Sequence, residues 1–173
     1  MILPVIGLNQ GALPIMGFSF GAKNRLRLLA TYKTALIVAI IIMIGGTLIF
    51  WIFPHRIMML FSASDNTLEL GVHALRMISI CFVPAAFSII TIGMFQALAH
   101  GGFALIISIV RQLGFIMPLA YILLIHYGVY GVWYAYPLAE IAALALTIFF
   151  LRHVYQKDIK SLPDGSPIAG KAG

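Results

Sequence analysis

Five apolar runs, at about 1–20, 34–53, 72–98, 103–125 and 131–151, divide this sequence. Each comes near the ~20 residues that an α-helix needs to cross a hydrocarbon core ~30 Å thick. Backbone entering lipid must make its hydrogen bonds internally, which a helix does. The expected fold is therefore an all-α membrane protein, a polytopic helical bundle of about five transmembrane helices. Composition agrees, since 62% of residues are hydrophobic and 9% charged, too little polar surface for a soluble domain. Residues 1–155 are expected to form the bundle. Residues 156–173, which lose apolar character and gain Pro and Gly, are expected to be a disordered cytoplasmic tail.

A formal charge of +6 would suit nucleic acid, but the basic residues gather at the ends of apolar runs, so topology explains them and no nucleic-acid partner is expected. Lys23, Arg25, Arg27 and Lys33 lie between the first two runs; Arg152, Lys157, Lys160 and Lys171 follow the last. The positive-inside rule puts both clusters and the C-terminus in the cytoplasm, with five crossings of a cytoplasmic (inner or plasma) membrane and the chain start outside. The other connections agree. Arg56 and Arg76 are balanced by Asp65 and Glu69, and residues 126–131 contain no Lys or Arg. Arg111 is expected near the cytoplasmic side of the fourth run, snorkelling outward. Pro54 suits a helix start, residues 55–61 an interfacial turn, and Asn66 with Glu69 a capping-box-like entry to the third helix. No basic segment is seen before the first run, so it is not expected to be an ordinary signal peptide.

Several residues are costly inside such runs. Pro14, Pro84, Pro118 and Pro137 fall in four of them, and Gly45-Gly46 in the other. An interior proline removes a helix hydrogen bond and crowds the preceding turn, and the freed carbonyl must find a partner in protein or water. Each proline alone fits the ordinary abundance of Pro in membrane helices; four together favour bent, moving helices. The first run also carries Asn9 and Gln10, with Gly7/Gly11 and Gly17/Gly21 at small-xxx-small spacing. Such notches let a second helix approach, and the two amides must face protein or water. Tight packing and nothing more is the plainer reading of the glycines.

Gln96 and the Arg111-Gln112 pair recur near the cytoplasmic ends of the third and fourth runs. They read as interfacial anchors ahead of ligands, with Gln96 kept as a cavity candidate. Glu140 is the single carboxylate at membrane depth, either a proton or cation site or a buried acid tying helices together. The lone Cys81 gives no disulfide framework. His55, His73, His100, His126 and His153 show no metal-ligand spacing. Ser19, Ser79, Ser88 and Ser108 suggest no triad. Neither HExxH nor a phosphate loop occurs, so no metal and no enzyme are expected.

The segment "GLNQGALPIMGFSFGAKNRLR" resembles the G-x-x-Q-x-x-x-P-x-x-x-F-x-x-G-A-K/R-x-x-x-R signature of the multidrug and toxic compound extrusion (MATE) transporters. "FQALAHGG", "VRQLGFIMPLAYILL" and "YGVYGVWYAYPLAE" resemble that family's C-terminal lobe in order and spacing, and the likeness runs from residue 1 to about 155. The resemblance implies a twelve-span protein of two six-helix lobes around a V-shaped cavity, exporting lipophilic organic cations in exchange for Na+ or H+, with no other cofactor. The five runs would correspond to the eighth through twelfth spans, half of a two-lobe transporter. Its partners would be the lipid bilayer, small lipophilic cations and the N-terminal lobe, which is missing here together with the seventh span. Met1 falls inside a span already begun, so a fragment or truncated reading frame is expected. The carboxylate that many members carry in the tenth span is absent. Glu140 stands where many relatives have Asp, which does not by itself make it a coupling site. Gln10, Pro14 and Pro84 are expected to line or shape the cavity. A lipid-linked oligosaccharide flippase of the same superfamily and a non-transporting membrane fragment remain the alternatives.

Overall fold

The computed structural model describes residues 2–59 and 65–163, and its elements among these are helical. The helices are α1 (Ile2–Gly21), α2 (Arg25–Ile52), α3 (Pro54–Met59), α4 (Asp65–Ile80), α5 (Phe82–Ala97), α6 (Gly101–Ile109), α7 (Met117–Val132) and α8 (Ala135–Val154). A π-helical segment, Val110–Ile116, joins α6 to α7, and a second, Tyr155–Ile159, continues α8. Four continuous stretches are long and apolar enough to span a membrane: Ile2–Gly21, Arg25–Ile52, Gly101–Val129 and Ala135–Ile159. A fifth is the pair Gly71–Ile80 and Phe82–Ala97, bent by 49°.

α5 is the hub. Its buried residues face α1 and α2 on one side and α8 on the other, with Phe82, Ala86, Ile90, Met94 and Phe95 in the common core. α1 contributes Val5, Asn9, Ala12, Met16 and Ser19, spaced as one helix face. α2 contributes Leu28, Tyr32, Ala35, Ala39, Met43 and Gly46. Many of these are small, as expected where helices must approach closely without a hydrophobic force between them.

Several expectations change. α2 starts at Arg25 rather than near 34, because Asn24 caps it, its side chain accepting from the Arg27 N–H at 3.0 Å. Its 28 residues reach ~42 Å at ~1.5 Å per residue, longer than a ~30 Å core. Gly45-Gly46 does not break it. The third span is two helices, and Pro84 occupies the first turn of α5 just past the bend. Pro137 likewise falls in the first turn of α8, and Pro118 in the first turn of α7 after the π segment. A first-turn N–H has no helical acceptor to lose, so Pro84 and Pro137 start helices, whereas Pro14 and Pro118 lie inside continuous helical stretches. The upstream turn still has to yield to the Pro118 ring, and the wide π turn, with the Met117 N–H bonded to the Gln112 carbonyl, accommodates it. Gly128 breaks α7 with φ 65° and ψ −160°, a conformation open essentially to glycine alone.

The end of the bundle differs too. Ile159 is fully buried, Asp158 meets His100 at 2.9 Å, and the Arg25 N–H donates to the Pro163 carbonyl at 3.5 Å. The segment 156–163 is thus packed rather than loose; 164–173 lie outside the described residues. α3 does start at Pro54, while residues 60–61 of the expected interfacial turn and the Asn66 and Glu69 side chains lie outside what is described.

Candidate functional site

Polar groups within the spans fall into three places. The first is the α1–α2–α5 contact. Asn9 is buried, and its amide lies where a side chain at Gly93 would project: a Cβ there would overlap Oδ1 and come within 2.6 Å of Cγ and 2.7 Å of Nδ2. The Oδ1 atom has no hydrogen-bond partner among the described residues and points along the Gly93 Cα–H direction, a weak contact common between close helices. Nearby, the Tyr32 and Thr91 hydroxyls share a buried hydrogen bond of 2.9 Å.

Gln10 follows Asn9 by one residue, ~100° around the helix, and is exposed. Gly7, Gly11 and Pro14 share that open side, and a Cβ at Gly7, Gly11 or Gly21 would meet nothing within 4 Å. The expected glycine notch is therefore present but empty, except at Gly17, where an added Cβ would lie 3.5 Å from the Ala97 carbonyl oxygen. Beside it, Leu8, Gly11, Ile15, Thr31, Thr34 and Val38 line a groove of about 480 Å³ between α1 and α2.

The second place is the bend between α4 and α5. The Thr47 hydroxyl of α2 donates to the Ser79 carbonyl at 3.1 Å, and the Trp51 indole N–H donates to Ser79 Oγ at 3.0 Å. Carbonyls freed by the break at Cys81 need such partners in lipid. Sequence reasoning missed Thr47 and Trp51; a Thr one turn from a Trp beside an interrupted span was the available signal.

The third place is Glu140 of α8. It is 8% exposed, accepts from Ser88 Oγ of α5 at 3.5 Å, and lies 3.7 Å from Arg111 Nη1 of the π segment. Arg111 is ten residues into its span, ~15 Å deep at ~1.5 Å per residue. It therefore reaches inward to an acid instead of snorkelling to the span end. Pro84, Pro137, Cys81 and Glu140 surround a cavity of about 90 Å³. The structure thus groups Pro84, Pro137 and Glu140, sets Gln10 and Pro14 on the open side of α1, and leaves Gln96 and Pro118 exposed elsewhere. No group of three His, Cys, Asp or Glu side chains among the described residues is placed to hold a metal.

The MatE family model matches residues 1–122, well over half of the chain. Among relatives, the multidrug export protein MepA of Staphylococcus haemolyticus is 26% identical over 150 residues, 86% of this chain and 32% of its own length. The chain thus spans about a third of the relative it matches. Among solved structures, an inward-facing multidrug resistance MATE family transporter of the MOP superfamily superposes with TM-score 0.82 at 25% identity, over 96% of this chain and 38% of that one. The MATE multidrug transporter DinF-BH, solved as a ligand complex, gives TM-score 0.82 at 31% identity, over 91% and 35%. With membrane-length helices in this arrangement and a family match across most of its length, the chain belongs to the MatE family of membrane transporters.

Proposed function

We propose that this chain forms part of the C-terminal lobe of an exporter of lipophilic organic cations, working by alternating access in exchange for Na+ or H+ across the cytoplasmic membrane. The carrying observation is the open side of α1. Gln10, Pro14 and Gly7 face away from the α2 and α5 contacts, and an amide turned to lipid is costly. A wet translocation path beside α1 removes that cost, and the helix weakened at Pro14 is suited to bending as the path opens. The role of relatives in multidrug export supports the reading.

Glu140 acts in this reading as a tie between α5, α8 and the π segment. A guanidinium 3.7 Å away competes with any Na+ for the carboxylate. Arg111 does bring positive charge to membrane depth, as an anionic flippase cargo would favour, but Glu140 opposes it. That pairing supports cationic over oligosaccharide-phosphate cargo.

The test is labelling in membranes of a Cys81→Ser chain carrying Gln10→Cys or Pro14→Cys, with Ile106→Cys as the lipid-facing reference. Expected is reaction of positions 10 and 14 with a water-soluble maleimide and protection by a lipophilic cation. Equal inaccessibility of all three positions overturns the reading. In transport measurements on the assembly containing this chain, Gln10→Ala is expected to lower efflux of a cationic dye, and collapse of the Na+ or H+ gradient to abolish it.

A further inference from the structure

We infer that the basic end of the bundle holds a site for an anionic phospholipid between α2 and α8. A cavity of about 350 Å³ opens there, walled by Leu29, Met94, Leu151 and Ile159, with Lys33 and Arg152 at its rim. The walls are almost wholly carbon, so the space suits glycerol and acyl carbons, while the rim supplies two positive charges. Among the described residues neither the Lys33 nor the Arg152 side chain has a hydrogen bond or ion pair. The one described acid at this end, Asp158, is engaged by His100 at 2.9 Å.

The levels match a lipid. Lys33 stands eight residues into an α2 that is longer than the hydrocarbon core, which puts its stem near the membrane boundary. Arg152 closes the last apolar run. Both long side chains reach outward from that boundary to headgroup level. Toward the bilayer centre, exposed Ile37 and Ile41 continue the Lys33 side of α2, and exposed Ile148 and Phe149 precede Arg152 on α8. A phosphate bridging the two cations therefore has apolar surface beneath it for its chains. Basic pockets between transmembrane helices take anionic headgroups for these reasons. A free phosphate would leave the carbon-lined space unfilled. No α1 residue lines the cavity, so the site is independent of the transport path proposed above.

The experiment is native mass spectrometry of the full 173-residue chain released from nanodiscs of equimolar phosphatidylglycerol and phosphatidylcholine. Expected is retention of one phosphatidylglycerol at least fivefold over phosphatidylcholine. Lys33→Gln with Arg152→Gln should bring that ratio near one, whereas Arg56→Gln with Arg76→Gln, at the other end of the bundle, should leave it. Leu29→Trp, which fills the cavity, should reduce retention of both lipids. Equal retention by the unaltered chain, loss of selectivity in the Arg56/Arg76 variant alone, or selectivity for inorganic phosphate over the lipid would each overturn the inference. Circular dichroism of every variant separates lost lipid from lost fold.

Discussion

In the α1–α2–α5 group the contact faces carry Asn9 against Gly93 and Tyr32 against Thr91. The arm from Gly101 to Val129 packs on α5 and α8, with Ala104 and Ile107 buried, Phe103 stacked on Phe150 at 4.6 Å, and Arg111 on Glu140. Only 11% of the arm's apolar window is buried, against 28% for α1. Both regions are apolar, and apolarity does not distinguish them. Lipid is as good a solvent for leucine as another leucine is, so helix contact in a bilayer rests on close approach at small residues and on hydrogen bonds. The group has both along its length. The arm relies more on ring stacking at Phe103 and on the Arg111–Glu140 pair.

That contrast is sharpest at the points where the arm is held. Glu140→Ala leaves the Arg111 guanidinium at membrane depth without its acid, and loss of one member of a buried pair costs on the order of 3 kcal/mol. Unfolding by SDS titration in mild detergent should show it, and Glu140→Met with Arg111→Met should recover most of it. If the single and double variants are equally unstable, the pair is not what holds the arm.

Within the group, Gly93→Ala forces the Asn9 amide away and should cost about 1–3 kcal/mol by overpacking, whereas Gly11→Ala, with open space around it, should leave the unfolding midpoint unchanged or slightly raised. A matching loss at both positions would mean that α1 packs through its glycine side instead. At the bend, Thr47→Val removes the donor to the Ser79 carbonyl, a loss of about 1 kcal/mol, read by the same titration. Tyr32→Phe deletes one interhelical bond, worth about 0.6 kcal/mol in a bilayer. The smallest effect belongs to the arm's outer side. Leu113→Ala and Ile122→Ala, both exposed, should shift the midpoint by less than about 0.5 kcal/mol, and a larger loss would reveal a contact made through that face.

The spans were legible because their signal is length and hydropathy, and the ends of α1 and α8 fell near where the apolar runs stop. What failed was the assignment of Pro84 and Pro137 to helix interiors; Pro14 and Pro118 do lie inside continuous helices. Pro84 and Pro137 sit just after a bend and a connection, places that differ from a helix interior only in the backbone upstream. Arg111 failed for another reason: its distance from a run's end suggested snorkelling, but its partner is Glu140, 29 residues away in sequence. The packed segment through Ile159 was missed because polar, Pro-containing sequence carries no sign of the His100 and Arg25 contacts that hold it.

The amino-acid sequence alone determined that this chain is a bundle of about five membrane-length helices, since a backbone in lipid must satisfy itself within each apolar run. Only the tertiary structure decided that Asn9 turns inward onto Gly93 while Gln10 turns to the open side. Neighbouring residues on a helix point ~100° apart, and in lipid it is the shape of the helix across from them, not their polarity, that selects which one is buried.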